Sequence, residues 1–139
     1  MEWGPYFTEA EFACSHCGKG PVDSLRWIGI LRELNILRGR CDFPFRVSSG
    51  YRCLLHPDEE RKGRDAIHAH THGAVDILVS GARAGVLLER AFSQHCSHTG
   101  DPIWTGVGVN QRGGYDQRFV HLDMMIRGDS PSNVIVWSY

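Results

Sequence analysis

The sequence predicts an α+β domain, a small antiparallel sheet with helices packed on one side. Three observations carry this. An apolar stripe at helical spacing runs through residues 24–38. Short apolar, β-branched runs dominate the second half of the chain. The connections between those runs are short and rich in glycine.

Each element has its own reason. Thr8 and Glu11 stand at capping-box spacing, which predicts a short helical turn over residues 7–12. Gly-Lys-Gly-Pro at 18–21 reads as a turn. Asp23 or Ser24 caps a helix reaching about Arg38, with Leu25, Ile28, Leu31 and Leu34 as its stripe and Trp27, Ile30 and Leu37 widening it. Gly39 follows where a terminating glycine belongs. Residues 43–48 read as a strand. Residues 53–72 read as polar and irregular, with the charge run at 58–65 as solvated surface. Residues 74–79 form a strand, 82–97 a second helix, and 106–109, 118–123 and 134–137 three more strands.

Composition narrows the function classes. The chain's 139 residues fit one domain, 1–139, long enough to bury a core without disulfides or metal. Its 42% apolar and 22% charged residues describe a folded soluble protein rather than a disordered one. A formal net charge of -1 gives no general attraction to nucleic acid or an anionic membrane, so neither is an expected partner. No run approaches the roughly 20 apolar residues of a membrane span. No basic-then-apolar leader opens the sequence, so no signal peptide is expected. Synthesis in a cytoplasm, no stable membrane insertion and a monomeric state are the corresponding expectations.

Five cysteines, Cys14, Cys17, Cys41, Cys53 and Cys96, are an odd count, read as thiols in a reducing compartment. Cys14 and Cys17 have Cys-x-x-Cys spacing, but a structural zinc would need two more ligands and no second such pair exists. A packed or partly exposed thiol pair is the expectation.

Histidine carries more information. Eight are present, and His68, His70 and His72 cluster just before Asp76. Asp76 interrupts an apolar strand, and a buried carboxylate needs a partner. The partner is a metal shared with a nearby imidazole, a salt bridge to an arginine, or a hydrogen bond from a backbone amide. On the run 119–123, Phe119, His121 and Asp123 share one strand face, and Val120 and Leu122 share the other.

The order of these motifs carries a resemblance. Ser49-Gly50-Tyr51-Arg52 is followed by His70-x-x-Gly73-Ala74-x-Asp76, then Phe119-x-His121-x-Asp123, then Trp137-x-Tyr139. With the opening from Phe7 to Cys17 and Gly18, this resembles the D-alanyl-D-alanine carboxypeptidase-like zinc peptidases. That group includes many phage endolysins, and its fold is shared with lysostaphin-type enzymes and the hedgehog signalling domain. The resemblance implies zinc held by His70, Asp76 and His121. It implies Arg52 binding a substrate carboxylate or steadying the oxyanion, with Ser49 helping to place it. The implied activity is cleavage of a peptide bond in the peptidoglycan stem peptide, after synthesis in a host cytoplasm and access to the wall. L-alanyl-D-glutamate, D-alanyl-D-alanine and cross-bridge bonds all stay open, as do lysis and virion-associated roles. Selectivity is expected in residues 54–69 and 98–104.

Two departures from the family pattern matter. The spacing from His70 to Asp76 is one residue shorter, which keeps His68 and His72 as alternative ligands. Arg118 and Phe119 occupy positions where relatives carry a proton acceptor. Asp116 is therefore the expected general base, and Asp123 the residue that orients His121. The alternative is a zinc-holding domain of the same fold that binds and does not hydrolyse.

Overall fold

Alternation along the central strands sorts the sheet into an apolar face and a polar one. The computed structural model describes residues 1–130 and 132–139. Its strands are β1 (Arg46–Ser49), β2 (Ala74–Leu78), β3 (Gly106–Asn110), β4 (Phe119–Asp123) and β5 (Ile135–Ser138). Its helices are α1 (Leu25–Gly39), α2 (Pro57–Lys62), α3 (Ala69–His72) and α4 (Gly81–Phe92). Short 3-10 turns lie at Glu9–Phe12 and Tyr115–Gln117. The chain is α+β, as its patterning predicts.

The five strands make one sheet in the order β1-β2-β4-β3-β5. The β1–β2, β2–β4 and β3–β4 pairs are antiparallel, but β3 and β5 pair in parallel. The sheet is thus mixed, not purely antiparallel. The reason is the last connection. It passes the end of β3 and sets Ile135 beside Gly106, the residue paired with Asp123 at the end of β4. A strand that starts where β4 ends, on the far side of β3, must run alongside β3.

Val75, Ile77, Val107, Val120 and Leu122 face the core, against Trp27, Ile30, Leu31, Leu34 and Leu37 of α1. Burying each large aliphatic side chain is worth about 1.5–3 kcal/mol. Ser24 caps α1, its hydroxyl accepting the Trp27 N–H at 3.3 Å. The buried stripe is narrower than predicted: Leu25 is 89% exposed and Ile28 42%. Helix α4 stops at Phe92, short of the predicted 97, because Gln94 turns inward. Its amide donates to the Glu33 carboxylate at 2.7 Å and accepts from the Trp104 indole at 2.9 Å.

Residues 53–72 are more ordered than their polarity suggests. Pro57 opens α2, acids fill its first turn and Arg61 and Lys62 its last, which suits the helix dipole. Glu59 in this run is fully buried rather than solvated. Gly73 ends α3 at φ 146, a conformation that favours glycine, and a side chain there would press on Ile30. This sharp exit delivers the chain from His70 directly into β2.

The polar face is defined by one row across the sheet. Ser49, Asp76, His121, Gly108 and Trp137 are successive register partners from β1 to β5.

Candidate metal centre

His70, Asp76 and His121 are all buried and their ligand atoms lie within 4.8 Å of one another. The second polar atom of each imidazole fixes which nitrogen is free. His70 donates from Nδ1 to the Gly50 carbonyl at 2.7 Å, so its Nε2 lone pair points inward. His121 donates from Nε2 to the Asp123 carboxylate at 2.7 Å, so its Nδ1 lone pair points inward. Asp76 Oδ1 lies 2.9 Å from His121 Nδ1 and 3.2 Å from His70 Nε2, and the two nitrogens are 3.2 Å apart.

Three acceptors therefore face one another. Such an arrangement is repulsive until a cation stands among them. Nitrogen and oxygen ligands about 2.0–2.1 Å from a tetrahedral zinc stand about 3.3–3.4 Å apart. The observed edges are a few tenths of an ångström tighter, so the donor set fits such an ion with little movement. In the absence of a metal, a proton fills the role. Burial pushes the His121 imidazole down, but hydrogen bonding to Asp123 and Asp76 raises it overall. Burial raises Asp76, and the charges and hydrogen bonds of His70 and His121 outweigh it, holding the carboxyl well below its usual range.

Arg52 closes one side of the cluster. Its Nη2 lies 3.5 Å from Asp76 Oδ2, and its Nε donates to the Ser49 hydroxyl at 2.9 Å. Nη1 donates to the buried Glu59 carboxylate at 3.2 Å. Lys62 and His68 surround the same carboxylate. Burial pushes Glu59 up, and these partners bring it below its ordinary value. Asp76 thus has two kinds of partner: an arginine takes one oxygen and the imidazoles share the other.

Asp123 orients His121 from the other side. It is fully buried and receives a two-pronged contact from Arg127, at 2.8 and 2.9 Å. Burial raises its pKa, but His121 and Arg127 hold it far below the carboxylate norm. Glycines make the room: a side-chain carbon on Gly106 would overlap Asp123 and Arg127, and one on Gly108 would come within 2.7 Å of the Trp137 indole nitrogen. Trp137 lies against His121, ring centres 5.2 Å apart. Replacing Asp123 with asparagine is expected to weaken metal binding at this centre about 10- to 100-fold, measured by competition with a chromogenic chelator.

The structure separates the three upstream histidines. His68 uses both nitrogens elsewhere, on Glu59 and the Gly63 carbonyl. His72 lines a different hollow, with Leu25, Ile30 and Met124. Only His70 joins Asp76 and His121. Asp116 is not brought to them. It sits on the exposed turn Tyr115–Gln117 and lines a depression with Phe43, Arg46 and Arg83. The Arg118 carbonyl is tied to the Val79 amide at 3.0 Å, which fixes this turn beyond the end of β2. A cleft of about 850 Å³ opens over the three ligands, and among its described lining residues Asp58 is the only carboxylate besides Asp76.

Sequence reasoning missed Glu59, Arg127 and the paired glycines. The alternation of glycine and valine through 106–109 was a usable signal for a strand with one face kept bare. The fold and site together define an α+β domain with a three-ligand centre able to hold a metal ion. Comparison with protein-family models, curated proteins and solved structures finds no match for this chain.

Proposed function

We propose that this chain is a zinc-dependent peptidase that cuts an amide bond in the stem peptide of bacterial peptidoglycan. The observation that carries the reading is the set of three inward lone pairs on the wall of an open cleft, with an arginine beside the carboxylate. The motif order described above supports the same reading. Two imidazoles and one carboxylate are a catalytic zinc set, since three protein ligands leave a position open. Zinc bound there supplies a Lewis acid that polarises a carbonyl and makes water acidic.

The protein's own groups have distinct tasks. His70 and His121 are kept in the ligating tautomer by Gly50 and Asp123. Ser49 holds Arg52, whose guanidinium takes a substrate carboxylate or the developing oxyanion. Asp58 takes the proton from the attacking water and returns it to the leaving amine, in place of Asp116. Asp123 is enclosed and committed to His121 and Arg127, so it is a positioning residue. On this reading Asp58→Asn lowers kcat by about 10²- to 10⁴-fold, whereas Asp116→Asn leaves it near wild type. The reverse pattern returns the base to Asp116.

The direct test is digestion of purified peptidoglycan with and without a zinc chelator, with fragments identified by mass spectrometry. Chelator-sensitive new ends are expected, and their masses name the bond. A second reading, a binding module that has lost hydrolysis, is favoured by Arg118 standing where the peptidase family that the sequence resembles carries a proton acceptor. Folded, zinc-loaded protein that yields no new ends would establish that reading over the peptidase.

A further inference from the structure

We propose that Cys14, Cys17 and Cys53 form a second metal site, a structural zinc centre that fastens the N-terminal turn to the loop carrying Arg52. The three sulfurs lie within 4.8 Å of one another although Cys53 is distant in sequence. The Cys14 carbonyl accepts the Gly18 N–H at 2.8 Å, and the Cys14 N–H donates to the Lys19 carbonyl at 2.8 Å. Gly18 at φ 74 completes this tight loop, which turns both of its sulfurs to one side. From the other segment, the Cys53 N–H donates to the Cys14 sulfur at 3.4 Å. The Tyr51 N–H donates to the Phe12 carbonyl at 2.9 Å, so the two segments are already in register.

A disulfide accounts for two of these sulfurs and leaves the third. A thiophilic ion uses all three, and soft thiolates select zinc over harder cations. Binding displaces the three thiol protons to solvent and changes no oxidation state. His56 is not the fourth ligand: its Nδ1 accepts the Asp58 N–H at 3.1 Å, so the neutral ring carries its proton on Nε2, beside the Ser15 hydroxyl. Cys17 is exposed, which opens the fourth position to water. The third donor to the Cys14–Cys17 pair comes from the residue after Arg52.

The centre shares no ligand with His70, Asp76 and His121, so its test is independent of the peptidase reading. Zinc per chain is measured by plasma mass spectrometry on protein purified anaerobically, for wild type, His70→Ala and His70→Ala with Cys17→Ser. About two, one and no equivalents are expected, from four-coordinate sites of each kind. Cobalt-substituted His70→Ala should show an intense thiolate-to-metal charge-transfer band in the near ultraviolet. The Cys17 replacement, at an exposed position, should remove it. Folded His70→Ala that holds no zinc, or holds cobalt without that band, overturns the proposal. So does a disulfide among the three in the anaerobic protein.

Discussion

On the proposed peptidase reading, Asp76→Ala is expected to empty the His70–His121 centre and to lower peptidoglycan cleavage at least about a thousandfold. The magnitude follows from the several kcal/mol of transition-state stabilisation a catalytic metal supplies, at about 1.4 kcal/mol for each factor of ten. Asp76 is the one ligand that both imidazoles approach, and it is the only anion of the three. Its removal leaves two neutral nitrogens and no anionic ligand for the dication. Zinc content should fall by about one equivalent while circular dichroism stays that of a folded chain. Cleavage that persists after loss of this zinc would overturn the assignment of the centre to catalysis.

Arg52→Met should cost both stability and turnover. The guanidinium is the hinge between the ligand Asp76 and the buried Glu59. Breaking a buried ion pair costs about 3–5 kcal/mol. Lys62 and His68 still face Glu59, which puts the loss nearer about 2–3 kcal/mol. The pH dependence has a definite sign. Glu59 has a depressed pKa in the folded protein, so its contribution is present above the ordinary carboxylate value and lost as pH falls through the folded one. The gap between wild type and Arg52→Met should therefore be widest near neutrality and close below about pH 4. Urea melts across that range measure it. Arg52→Lys restores charge without the planar fork, and recovers stability more than activity. A gap that widens on acidification would contradict the role given to Glu59.

Much of the site was legible in the linear chain because strand periodicity is a local property. It placed Phe119, His121 and Asp123 on one face and marked Asp76 as an intruder in an apolar strand. The missing parts depend on how the chain folds back on itself. Glu59 reads as one acid in a charged run, and its burial depends on Arg52, Lys62 and His68 closing around it. Gly106 and Gly108 acquire their purpose from Arg127 and Trp137, which arrive on a later segment. Asp116 is close to His121 along the chain, but the 3-10 turn and the Arg118–Val79 hydrogen bond carry it away. The parallel edge strand likewise follows from where the final connection crosses, not from anything within residues 135–138.

The fork from Arg127 to Asp123 has a consequence for what the cleft attracts. With Asp123 cancelled by Arg127, and Asp58, Glu59 and Asp76 matched by Arg52, Arg61 and Lys62, the fixed charges around the centre balance. A resident dication is then an uncompensated surplus in a concave, partly desolvated wall, where fields are focused rather than screened. Exchanging the shared proton for a dication raises the charge of this hollow by one and strengthens its pull on anions. Peptides bearing free carboxylates would gain on encounter rate as well as on residence, and that gain would fade with added salt.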